Sequence, residues 1–119
     1  MNEVIERIRS RLNEHFNGLT DALDRAGLEY QVLANKSSFA VVEFSGEETS
    51  IQVRIIEPTW RDAHFPYRLF YVRRVDGVVV SVREFARLMS PQHVCRVVTL
   101  ELDRTAAGRN AHRHIITKA

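Results

Sequence analysis

Apolar side chains recur at three- and four-residue steps through the first 26 residues: Val4, Ile5, Ile8, Leu12, Phe16, Leu19, Leu23 and Ala26. That spacing puts them on one stripe of an amphipathic helix. Glu3, Arg7, Arg11, Glu14, Asp21 and Arg25 fall off the stripe, on the side that faces water. Gly18 costs about 1 kcal/mol inside a helix, yet the stripe runs through it. Gly27 is suited to the C-terminal cap, where the backbone turns left-handed.

The period then shortens. Glu29–Ala34, Ser38–Phe44, Ser50–Glu57 and Tyr67–Val75 are rich in β-branched and aromatic residues and read as strands. Ile51, Val53 and Ile55 alternate with Gln52 and Arg54, as in a half-buried strand. Asn35-Lys36-Ser37 and Gly46-Glu47-Glu48 are polar turns. Asp76-Gly77 between Tyr67–Val75 and Val78–Val80 predicts a tight hairpin, because both turn residues tolerate positive φ. An antiparallel meander is expected.

Ser81-Val82-Arg83-Glu84 has the form of a capping box. It predicts a short helix through Phe85, Leu88 and Met89, stopped by Ser90-Pro91. Val94–Leu102 is β-branched and reads most simply as a last strand. A helix capped by Ser90, with Pro91 at its first position, competes with that reading. The expected fold is α+β. It has an N-terminal amphipathic helix packed on a mostly antiparallel sheet of five to six strands, a short second helix before the last strand, and a basic C-terminal tail.

Charge divides the chain at one place. All 15 acidic residues lie in residues 1–103, leaving that body at −2, whereas residues 104–119 are at +4 through Arg104, Arg109, Arg113 and Lys118. A single domain over 1–103 and a flexible basic tail over 104–119 are expected. Such a tail favours an anionic partner. Arginine outnumbers lysine 15 to 2, a bias that a GC-rich bacterial or phage genome explains. The lone Cys95 excludes an intrachain disulfide and an all-cysteine zinc site. No apolar run reaches the ~20 residues of a membrane span, and the N-terminus lacks the features of a secretion signal. A cytoplasmic protein with no membrane association is expected.

Motifs for chemistry are scarce. There is no Gly-rich phosphate loop, no His-Glu-x-x-His, no Cys-x-x-Cys and no nucleophile elbow. The segment from Glu57 to Pro66 is long for a strand connection and holds Trp60, Arg61, Asp62 and His64. An acid beside a histidine suits proton transfer, and a tryptophan beside arginine suits a partner anchor. Trp60, Arg61 and His64 are therefore candidate contacts, together with Phe70 and Val72 from a strand that is apolar on both faces. A second, nucleic-acid-binding surface combines Arg73, Arg74, Arg83 and Arg87 with the four tail cations. Arg83 and Arg87, four apart, would share a helix face. His93 and Cys95 would share a strand face, and with His112 and His114 they form a permitted zinc set, but the spacing argues against it; no metal and no cofactor is expected.

One long and one short helix cannot cover both faces of five or six strands, so self-association as a homodimer, or a partner docked on the sheet or its edge, is expected. The leading expectation is a non-enzymatic module that binds a protein partner. An inhibitor of a host defence complex carried by a phage or other mobile element, of the anti-CRISPR type, fits the size and the missing catalytic motif. A nucleic-acid-binding protein is the second expectation, and a small enzyme centred on Trp60–His64 the third.

Overall fold

The computed structural model describes the backbone of residues 2–36, 39–46, 49–56 and 65–118; side chains are described within 11–55 and 65–104 of these. The element order is α1 (Asn2–Arg25), β1 (Gln31–Asn35), β2 (Phe39–Phe44), β3 (Thr49–Ile56), β4 (Tyr67–Val75), β5 (Val78–Leu88) and α2 (Pro91–Lys118). The five strands form one antiparallel sheet in the order β1-β2-β3-β4-β5, so each strand pairs with its neighbour in sequence. The fold is α+β, with both helices on one side of the sheet.

The α1 stripe forms as its period requires. Leu12, Leu19 and Leu23 are fully buried in the core with Ala40, Val42 and Phe44 of β2, Ile51, Val53 and Ile55 of β3, Tyr67 and Leu69 of β4, Leu88 of β5, and Val94 and Val98 of α2. The alternating residues of β2, β3 and β4 therefore line one inner face, as the two-residue period of a strand demands. Gly27 closes α1 with φ +70°, and its amide bonds back to the Asp24 carbonyl.

Gly18 lies where α1 meets the start of α2. A Cβ placed there would stand 3.5 Å from Pro91 Cγ and 3.9 Å from the Tyr67 hydroxyl, both ordinary contacts. Gly18→Ala is thus expected to raise stability by up to about 1 kcal/mol through helix propensity alone. A urea midpoint unchanged or lowered relative to wild type would show that the helices need a closer approach.

The Asp76-Gly77 hairpin is present, with φ +52° and +80° and Val75 paired to Val78. Beyond it the outcome differs from the expected pattern. Ser81–Leu88 is strand, not a turn into a helix at Phe85–Met89: β5 keeps pairing with β4 as far as Leu88 opposite Tyr67. Nine ladder pairs and the burial of Leu88 outweigh a capping signal worth about 1 kcal/mol. The strand absorbs the surplus residues as register shifts opposite Leu69/Phe70 and Arg73/Arg74.

Val94–Leu102, expected as a last strand, belongs to α2. The Ser90 hydroxyl accepts the His93 amide at 3.2 Å, and the Ser90 carbonyl accepts the Val94 amide at 3.1 Å. Pro91 occupies the first helical position, where its missing N–H costs nothing. Val94 and Val98, four apart, both point into the core, which β-branched residues can do on a helix at small cost. The backbone of residues 104–118 continues α2.

Candidate functional site

Among the described residues, the helices pack on one face of the sheet and not on the second. Register places Val41, Arg54, Arg68 and Arg87 in one cross-strand row, and Glu43, Gln52, Phe70 and Glu84 in the next. Ser50, Val72 and Val82 form a third. No helix covers these rows, yet Glu43, Gln52, Ser50, Phe70 and Val72 are all buried. Over Phe70, two arginines provide cover: the Arg54 guanidinium lies 4.2 Å from the ring centre and that of Arg68 5.8 Å from it, an attraction of cation to ring face.

A chain of hydrogen bonds joins the rows. Arg74 donates two bonds to Glu43, at 2.8 and 2.9 Å, reaching from β4 across β3 to β2. Gln52 Nε2 donates to Glu43 Oε2 at 2.7 Å, and Gln52 Oε1 accepts from Arg54 Nε at 3.0 Å. On the far side Glu84 accepts Arg68 Nη2 at 2.6 Å and also Arg87 Nε. Burial would push the Glu43 carboxyl up, but the Arg74 and Gln52 bonds outweigh it and hold it below the ordinary range. Glu84 is lowered chiefly by Arg68, against burial, with Arg87 adding to it.

Three arginines stand side by side across the sheet. Arg54 stands directly opposite Arg68, and Arg68 opposite Arg87. Like charges in direct cross-strand register destabilise a sheet by some tenths of a kcal/mol per pair. Arg54 bonds to an amide and stacks on a ring, and no described carboxylate meets it.

The structure separates residues that the sequence had grouped. Arg73 and Arg74 are adjacent on β4 and so face opposite sides; Arg74 is tied to Glu43 and Arg73 is exposed. Arg83 and Arg87 do not share a helix face, because both are on β5. Arg83 pairs with Tyr71 on the helix side, 5.2 Å from its ring centre, while Arg87 pairs with Arg68 on the open side. The four arginines are therefore not one surface. Phe70 and Val72 lie on the open face, as floor beneath the guanidinium groups. Trp60, Arg61, Asp62 and His64 lie outside the described residues. So do the side chains of Arg109, His112, Arg113, His114 and Lys118, whose backbone is helical.

His93 and Cys95 do not share a face, since two residues on a helix are about 200° apart. His93 is exposed, and Cys95 is half-buried against the core, which pushes its thiol up. Among the described residues no three His, Cys, Asp or Glu side chains gather to hold a metal ion, and no helix is long and apolar enough to cross a membrane.

On the helix side, Tyr67 donates its hydroxyl to the His15 carbonyl at 2.9 Å and is pushed up to about 12 by burial. Tyr71 stacks on Phe85 at 4.0 Å and donates to Glu101 at 2.7 Å. These contacts fasten the helices to the sheet and leave the open face as the candidate site. Gln52, Arg54, Arg68 and Glu84 were not among the contact residues read from the sequence. The signal for two of them was the i, i+2 recurrence of Ser50, Gln52 and Arg54 between buried residues of β3. Comparison with protein-family models, with curated proteins and with solved structures finds no match to this chain.

Proposed function

We propose that the protein is a non-enzymatic interaction module that binds an acidic protein partner on the open face of its sheet. The observation that carries this reading is the row Arg54–Arg68–Arg87, three guanidinium groups in direct register on adjacent strands. A fold built for stability alone would alternate charges there; local rules are broken where function asks for it. Arginine over an aromatic floor is also the chemistry of interface hot spots, and guanidinium forks bind carboxylates in pairs.

The test uses a fluorescent oligo-glutamate peptide titrated with the full chain at two salt concentrations. Arg54→Met and Arg68→Met keep an apolar stem over Phe70 and remove the charge. Each is expected to weaken binding by about tenfold, the value of one charge-assisted bond. Unchanged affinity in both variants, or no binding to the peptide at low salt, would sink the reading.

A nucleic-acid partner is the second reading, favoured by the continuous helical backbone through Arg104, Arg109, Arg113 and Lys118. It predicts salt-sensitive binding to mixed-sequence DNA or RNA. That binding would be lost when these four residues are changed to alanine and kept in Arg54→Met.

A further inference from the structure

We propose that two copies of this chain join antiparallel along β5, making one ten-stranded sheet across a two-fold axis near Ser81 and Val82. This concerns a different surface from the arginine face and does not depend on its partner.

β5 is the outer strand of an open sheet and the longest of the five, at 11 residues. One side of its backbone therefore has no ladder partner among the described residues. Val78 is 64% exposed, and Val79, Val80 and Val82 are each about half exposed. No charged residue interrupts Val78–Val82. Edge strands of monomers are normally guarded by charge, proline, bulges or brevity; Val78–Val82 holds neither charge nor proline, and β5 is more than twice the length of the opposite edge strand β1, which has five residues, although both strands carry register irregularities.

Three features name a second copy as the occupant. The exposed stretch is apolar and nearly uniform, so it is complementary to itself. With Val75, also about half exposed, these valines expose roughly 400 Å² in all, Val75 and Val78 on the helix side of the hairpin and Val79 and Val82 on the other, beside the ~800 Å² per partner of a standard interface. Charge then selects the direction. Asp76 precedes β5, and Arg83 and Arg87 lie in its second half. Antiparallel pairing with Val82 opposite its own copy sets Gly77 opposite Arg87, with Asp76 one residue along, whereas a parallel pairing would set Asp76 against Asp76. The two register shifts of β5 leave Ser81–Glu84 as an unbroken run opposite Arg73–Phe70, so the centre of the new ladder is regular. A two-fold pairing also closes the assembly, because the short, irregular β1 edges remain at its ends.

The test is the mass of the full chain by sedimentation over a wide concentration range, with disulfide trapping. In a Cys95→Ser background, Val82→Cys is expected to give an oxidised dimer, since the residue on the axis faces its own copy with Cα atoms within disulfide reach. Leu33→Cys on the β1 edge is expected to give none. Val80→Lys, with its far-ultraviolet spectrum unchanged, is expected to raise the dimer dissociation constant at least tenfold. A monomer at every concentration would overturn the proposal. So would trapping through Leu33→Cys in place of Val82→Cys, or a dimer indifferent to Val80→Lys.

Discussion

Leu19→Ala is expected to destabilise the protein by about 3 kcal/mol, as for other fully buried leucines that leave a cavity. Leu19 is 0% exposed in the core between α1, the inner sheet face and α2. Helices on one side and a sheet on the other cannot both move in to fill the space, which sets the cost toward the middle of the usual range. A domain of this size has about 5–15 kcal/mol in total, so the loss is a large share, and thermal unfolding is expected more than 10 °C lower. Leu100→Ala is the control: Leu100 is 62% exposed on the far side of α2, and its loss is expected to stay within about 0.5 kcal/mol. Chemical denaturation of the two variants side by side decides the matter; equal midpoints would mean that α1 is not seated as described.

Glu43→Ala is the second large effect, expected at about 2 kcal/mol. The carboxylate is the hub of the open-face network, and its removal leaves the buried Gln52 amide without its acceptor. Arg74, whose side chain is 33% exposed, can turn into water, which keeps the cost below that of a fully buried ion pair. The pH dependence carries the sign. The folded Glu43 carboxyl titrates below its ordinary value of 4.5. The stability it contributes is therefore present above about pH 4.5 and is lost as pH falls through the depressed folded value. Wild type is expected to lose more stability than Glu43→Ala between pH 6 and pH 3 in urea melts. Parallel losses would mean that Arg74 and Gln52 do not hold the carboxylate ionised.

The parts of the fold visible in the sequence were those set by local period. The leucine stripe of α1, the first four strands and the Asp76-Gly77 turn follow from side-chain spacing and from one pair of residues that accept positive φ. The helix–strand exchange after Gly77 was hidden because two local signals pointed away from the tertiary answer. Ser81 and Glu84 resemble a helix start, yet Glu84 is placed opposite Phe70, where Arg68 can reach it. Val94, Val97 and Val98 resemble a strand, yet the cap at Ser90 and the four-residue step from Val94 to Val98 suit a helix.

The candidate site was legible only as polar punctuation in apolar strands. Arg54, Arg68 and Arg87 are 14 and 19 residues apart in the chain, and only the register of β3, β4 and β5 shows that they meet. Conversely, Arg73-Arg74 and Arg83/Arg87 looked like pairs in the sequence, and the two-residue alternation of a strand, with one register shift, put their members on opposite faces.

The meander order has a consequence for how the chain assembles. Every strand pairs with its neighbour in sequence, so the sheet can grow hairpin by hairpin, the ten residues between β3 and β4 being its longest closure. The contact between α1 and α2 is different, since it joins the two ends of the sequence. It is the one closure that must wait for the sheet to exist as a platform. Native-state opening is expected to retrace that order: the helix pair lifts first, baring the inner valines and leucines, while hydrogen exchange in β2, β3 and β4 stays slow until the whole domain unfolds.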